Sequence, residues 1–204
     1  MRVTGCGALV IEDVRPPSPH RHPQRRRHLR RQGRDVAGGA DPAGEVGLGG
    51  LPQGRIGERH HPETHAIPLA LQTALGQRQG FKLFGDDYDT RDGTAVRDYV
   101  HVMDLADAHV RALKYLLDGG ETTVFNLGAG AGTTVRELID TIRRTTNRPF
   151  PVETAPRRPG DAPRLVADNS RAREVLGWRP ARTLDDIVRT AWRWHAAERE
   201  AHEA

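Results

Sequence analysis

Four stretches of this 204-residue chain set side chains at spacings that could do chemistry. In residues 93–117, GTAVRDYVHVMDLADAHVRALKYLL, Arg97 lies just ahead of a strand-to-helix turn. An anion placed there could meet both a guanidinium and the free N–H groups of a helix N-terminus. The plainer reading is an ion pair between Arg97 and Asp98 or another carboxylate. In RRPGD, Arg158 and Asp161 flank Pro159 and Gly160, so one glycine-bent loop carries an anion binder and a hydroxyl acceptor. The alternative there is a solvated charge pair on the surface. HHPETH offers His60, His61, Glu63 and His65, residue types that bind metals. It is not H-E-x-x-H, Pro62 breaks any helical register, and no further ligand cluster is evident, so the expectation is no metal. GAGAGT, residues 128–133, lacks both the Gly-Lys-Ser/Thr ending of a phosphate loop and a dinucleotide fingerprint. It reads as a tight turn between strand and helix.

The elements that must hold these groups become regular from Arg55 onward. Residues 66–75 carry Ile67, Leu71, Ala74 and Leu75 at helical spacing, with Pro68 tolerated in the first turn. FKLF, residues 81–84, is a short strand, followed by the turn-rich loop GDDYDTRDGT. Val96, Tyr99, Val100 and Val102 suit a half-buried strand. Asp104 stands as an N-cap, and Leu105, Ala108, Ala112 and Leu116 form the apolar stripe of the central helix. TTVFNLGAG reads as a buried strand entering a glycine turn, and Thr134 with Glu137 as a capping box. Val135, Leu138, Ile139 and Ile142 then mark a helix that stops at Asn147 to Pro149. Brief strands are expected at 151–153 and 165–167, and a short helix at 170–176 closed by Gly177, with Trp178 packing beyond it. Thr183 and Asp186 open a last helix that turns Leu184, Ile187, Val188, Ala191, Trp192 and His195 inward. Tyr99 and Phe125 read as core. Alternating strands and helices indicate an α/β architecture.

Residues 1–54 read differently. Only 36% of the chain is hydrophobic and 5% aromatic, and the deficit is concentrated here. From Arg15 to Arg34 there are eight arginines and no acidic residue, against a chain total of +4, so the remainder is net negative. Prolines, like charges and glycines leave too little apolar surface to offset ordering entropy, and disorder or an aberrant segment is the expectation. MRVTGCGALVIED begins like a dinucleotide-binding strand and turn, but no G-x-x-G-x-x-G follows. Without interleaved aromatics, nucleic-acid binding through the arginines is the minor alternative. Cys6 stands alone, as suits a reducing cytoplasm, and no run approaches the roughly 18 apolar residues of a membrane span.

GTAVRDYVHVMDLADAH resembles the signature of UDP-glucose 4-epimerases, which are extended short-chain dehydrogenase/reductase-type enzymes. The resemblance runs from about Gly54 to Glu198 and does not reach the first fifty or so residues. It implies the C-terminal, substrate-binding part of an extended Rossmann-type epimerase over residues 55–204, with 1–54 unmatched. In that family the equivalents of Arg97 and Arg158 grip the pyrophosphate of a UDP-sugar, and that of Asp161 holds a ribose hydroxyl. The main chain from Lys82 to Phe84 reads the uracil edge. The turn at His65 and Ala66 approaches the phosphates through backbone N–H groups. The implied activity is the NAD-dependent interconversion of UDP-glucose and UDP-galactose, an isomerase of galactose metabolism in the cytoplasm, often homodimeric. Xylose and arabinose remain open as the sugar pair.

The family reaction needs a Tyr-x-x-x-Lys pair and NAD on a glycine-rich turn. Four residues after Tyr88, Tyr99 and Tyr115 stand Asp92, Met103 and Gly119, and the lysines are Lys82 and Lys114 alone. No catalytic residue is assigned. GGADPAG resembles a family piece that belongs close before GRIGE, yet eleven residues separate Gly44 from Ile56. The expectation is therefore a truncated epimerase that neither turns over nor retains NAD by itself. The alternative is a non-catalytic UDP-sugar-binding or interaction module.

Overall fold

The computed structural model describes residues 2–4, 8–11 and 49–203, with side chains placed from Gly49 to Ala201. The arginine-rich run, and with it most of the expectation for residues 1–54, lies outside the described residues. In chain order the elements are β1 (Arg2–Thr4), β2 (Ala8–Ile11), α1 (Ala66–Ala74), β3 (Phe81–Phe84), β4 (Val96–Arg97) and α2 (Val102–Leu117). They continue with β5 (Thr123–Asn126), β6 (Thr133–Thr134), α3 (Val135–Thr146), β7 (Val152–Ala155), α4 (Ser170–Leu176) and α5 (Leu184–Glu203).

Apart from β1 with β2, strand pairing joins segments far apart in the chain. β3 and β7 pair in parallel, β4 and β6 antiparallel, and β1 and β2 form an antiparallel hairpin that adds to β5. β1 and β2 thus pair antiparallel where the opening residues began like a dinucleotide-binding strand and turn. β5 is less covered than its sequence implied, since Phe125 is fully buried while Val124 is exposed. The expected strand at 165–167 does not form. Arg164 makes one parallel bridge to Val96, and Leu165 N–H donates to Val96 O at 3.0 Å, so the segment is extended but meets its neighbour only there.

Two apolar clusters carry the packing. In the first, Ile67 and Leu71 of α1, Leu83 of β3, Leu138 and Ile142 of α3, and Ile187 and Val188 of α5 meet around Tyr99 and Phe150. In the second, Leu105, Ala108 and Ala112 of α2 and Phe125 of β5 surround Trp178, Ala172 and Leu176. The stripes of α2, α3 and α5 face these clusters as their spacing predicts, with Leu116, Val135, Leu184 and Trp192 only partly covered.

α2 starts one turn before Asp104. Its N-cap is His101, whose Nδ1 accepts the Met103 N–H at 3.0 Å. Asp104 is buried and works across the fold instead. Its Oδ2 accepts the N–H groups of Ala181 and Arg182 at 3.2 and 3.0 Å, and Oδ1 pairs with the Arg182 guanidinium. The Asp104 carbonyl accepts from Trp178 Nε1 at 2.8 Å. Residues 49–58 run along α5, where Gly50 N–H reaches Thr190 Oγ1 and Trp194 Nε1 donates to Glu58 O. A Cβ on Gly57 would lie 2.1 Å from Trp194 Cγ, so only glycine lets the loop approach the indole.

Candidate functional site

Of the groups singled out by sequence, Lys82, Phe84, Arg97, Arg158 and Asp161 gather where β3, β4 and the loop after β7 meet, whereas His65 and Ala66 stand at the start of α1. Phe81 N–H donates to Pro151 O at 3.0 Å and Gly85 N–H to Ala155 O at 2.8 Å. Residues two apart face the same way along a strand, so the main-chain groups of Lys82 and Phe84 point to the opposite edge of β3. Among the described residues no strand pairs with that edge. The Lys82 side chain is exposed, and the Phe84 ring is half-buried beneath the Arg158 guanidinium, whose carbon lies 3.8 Å from the ring centroid. This is a cation stacked on an aromatic face.

Arg158 opens a tight turn in which its carbonyl accepts the Asp161 N–H at 3.1 Å. The turn sends Asp161 back to β4, where its carboxylate pairs with Arg97 rather than leaving that guanidinium to Asp98. Arg97 Nη1 also donates to Val96 O at 2.8 Å and Ala162 O at 3.0 Å. The pair is largely buried, with the two side chains 15% and 25% exposed. Arg97 is thus engaged on three sides, whereas Arg158 has no carboxylate partner among the described residues.

His65 is the residue before α1, and its N–H donates to Glu63 Oε1 at 2.8 Å. Of the two N–H groups assigned to phosphate at this turn, the one on His65 is therefore already engaged by a carboxylate.

Four residues to which the sequence reading gave no such role, Arg157, Tyr88, Asp92 and Asp98, shape the site. Arg157 stacks 4.3 Å over the Tyr88 ring and donates from Nε to Asp87 Oδ1 at 2.6 Å, which holds the Asp87 carboxyl below its ordinary range. The buried Tyr88 hydroxyl has no hydrogen-bond partner among the described residues, and burial, with Asp161 nearby, pushes its pKa up. Asp92 organises the GDDYDTRDGT loop through Thr94 N–H, the Thr94 hydroxyl and the Thr134 hydroxyl. The loop closes at Gly93, where φ is +80° and a Cβ would meet Asp86 O at 2.1 Å. Asp98 pins the glycine turn after β5. Its oxygens accept from Ala129, Gly130 and Ala167 N–H at 2.7, 3.1 and 3.1 Å. The only sequence hint was a set of acidic residues beside Gly and Thr, and the partners lie some 30 to 70 residues away.

Residues 53–191 match the family model described as GDP-mannose 4,6 dehydratase. The chain is 65% identical over 144 residues to the UDP-glucose 4-epimerase of Rhizobium leguminosarum bv. trifolii, covering 71% of this chain and 44% of that protein. A crystal structure of UDP-glucose 4-epimerase superposes with a TM-score of 0.73 at 52% identity, over 74% of this chain and 46% of the other. The Stenotrophomonas maltophila enzyme, solved with bound NAD and formylated UDP-arabinopyranose, gives a TM-score of 0.73 at 41% identity, over 76% of this chain and 46% of the other. The chain thus spans less than half the length of the relatives it matches, and its fold is that of part of these epimerases. Among the described residues no helix is long and apolar enough to cross a membrane.

Proposed function

We infer that this chain, which belongs to the GDP-mannose 4,6 dehydratase family, is the UDP-sugar-binding portion of a UDP-glucose 4-epimerase. The observation that carries this reading is the turn from Arg158 to Asp161, which ties the end of β3 to Arg97. A uracil edge would pair with the main chain of Lys82 and Phe84, because that edge of β3 offers alternating donors and acceptors. Arg158, the cation without a carboxylate, would face the pyrophosphate, where charge-assisted bonds to phosphate oxygens are strongest. Asp161 spends Oδ1 on Arg97 and would turn Oδ2 to a ribose hydroxyl. Arg97 would then hold Asp161 in place and add its own charge nearby.

The epimerase relatives carry NAD, which accepts and returns a hydride when bound. The described residues do not fit it. The amides of the glycine turn at 129–130 face the Asp98 carboxylate, which would repel a pyrophosphate, and no Tyr-x-x-x-Lys occurs in the sequence. The reading is therefore a binding function, and no hydride or proton step is assigned to this chain.

Calorimetric titration with UDP and with uridine tests it. Wild type should bind UDP more tightly than uridine. Arg158→Ala should weaken UDP by about 1.5–3 kcal/mol, the range for a hydrogen bond to a charged group, and uridine far less. Equal losses for both ligands would remove Arg158 from the phosphate. No binding of either would end the assignment.

A further inference from the structure

The loop before α1, which sequence spacing set aside as a metal site, draws its donors together in the fold. One potential ligand atom from each of His60, Glu63 and His65 lies within 4.8 Å of the others, and the two imidazole rings are 5.3 Å apart. Their hydrogen bonds already orient them. His60 Nδ1 lies 3.1 Å from Pro62 O, a group that only accepts, so the proton sits on Nδ1 and Nε2 keeps its lone pair. Glu63 is fixed by two backbone N–H groups, those of Thr64 and His65, each 2.8 Å from Oε1. Such outer partners commonly orient metal ligands.

A second carboxylate completes the group. His65 Nδ1 lies 3.0 Å from Glu63 Oε1 and 3.2 Å from Glu58 Oε1. Two carboxylates and two imidazoles, all but His60 partly buried, are a charge arrangement that a divalent cation relieves. Metal–ligand bonds of about 2.0–2.1 Å in a tetrahedron put the ligand atoms roughly 3.3 Å apart. The observed spacings around His65 Nδ1 are close to this, so an ion would replace the proton that this nitrogen shares with the carboxylates. The guanidinium of the adjoining Arg59 is taken up by Glu198. A crevice of about 360 Å³ between this loop, α1 and α5 gives access.

We propose that residues 58–65 bind one divalent transition-metal ion of borderline softness, zinc being the natural probe, through His60, Glu63 and His65 with Glu58 as the fourth ligand. The set of two imidazoles and carboxylate oxygens favours zinc, cobalt or nickel over calcium or magnesium. The ion would clasp the loop to the start of α1.

The full-length protein, stripped with EDTA and titrated with zinc against a chromophoric chelator, tests the proposal without any nucleotide, so its outcome is separate from that of the UDP reading. Wild type should bind zinc with micromolar or tighter affinity. The His60→Ala/His65→Ala double variant and Glu63→Gln should each lose at least tenfold. Cys6→Ser should lose nothing, which distinguishes this site from the Cys6 thiol. Diffraction at the zinc edge from the wild-type protein locates the ion independently of any variant. Absence of zinc binding, affinity unchanged in both loop variants, or an anomalous peak away from Glu63 would overturn the proposal.

Discussion

At the scale of single residues, burial decides which of the many ion pairs matter. Asp104 and Asp107 sit on the same helix and each pairs with an arginine. Asp107 is 46% exposed and bonds Arg111 one turn away, an arrangement worth only a few tenths of a kcal/mol. Asp104 is 3% exposed and satisfies two backbone N–H groups as well as Arg182. Asp104→Ala should therefore cost about 2–4 kcal/mol, since three buried or half-buried donors lose their acceptor. Asp107→Ala should stay within about 0.5 kcal/mol. Urea denaturation of the two variants checks the contrast, and similar losses would show that Asp104 does not anchor the 181–182 segment. The sequence pointed to Asp104 as important but for a different task. A carboxylate near a helix start is read as a cap, because the competing donors lie some 77 residues ahead and no local pattern reveals them.

Helices were legible as elements because a 3.6-residue stripe is written within the segment itself. α3 is the clearest case, with its buried Leu138, Ile139 and Ile142 and a capping box in which Thr134 and Glu137 exchange hydrogen bonds. The Thr134 hydroxyl does more than cap, since it also bonds Asp92 Oδ2 and so ties the helix start to the 85–94 loop. Thr134→Ala should cost about 1–2 kcal/mol, at the upper part of the range for lost caps. Thr134→Ser should recover most of it. Failure of serine to rescue would assign the loss to the threonine methyl in the packed interior. Strands were harder to place, because a two-residue strand such as β4 exists only through its partner. Leu165 to Ala167 has strand-like composition and yet forms no strand, the single bridge to β4 being made by Arg164 just before it. The same reason explains the site. Arg97, Arg158 and Asp161 were legible as candidate groups, but that Arg97 spends its charge on Asp161 depends on a turn whose direction local sequence does not specify. In the loop at 60–65 the turn itself draws His60, Glu63 and His65 together, for a broken helical register does not keep three side chains apart.

At the scale of the whole molecule, the two apolar clusters are joined by a short polar relay. His101 caps α2, beside the second cluster, and its Nε2 lies 3.0 Å from the hydroxyl of Thr190 on α5, in the first. Because Nδ1 must accept the Met103 N–H, the proton belongs on Nε2, which donates to Thr190 Oγ1. Thr190 in turn donates back to its own helix, to Asp186 O or Ile187 O, and also accepts from Gly50 N–H. The relay works only with a neutral imidazole. Burial lowers the pKa of His101, Arg182 lowers it further, and Asp104 and Asp186 only partly oppose them. His195 on α5 is likewise lowered by burial against the pull of Glu198 and Glu63. For a base whose folded pKa lies below the unfolded value of about 6.5, the unfolded chain takes up the proton first. Stability is then complete above about pH 6.5 and declines as pH falls from there toward the lowered folded values. Glu58, raised by burial, acts in the opposite direction, but as one group against two. The lowered carboxyls of Asp92, Glu137 and Asp186 add their losses only near and below about pH 4. The urea midpoint should therefore be lower at pH 5.5 than at pH 7.5. His101→Asn keeps an oxygen that can cap α2 but cannot titrate, so it should begin less stable at pH 7.5 and lose less on acidification. A variant that falls as steeply as wild type between the two pH values would show that the relay between the clusters is not what acid breaks.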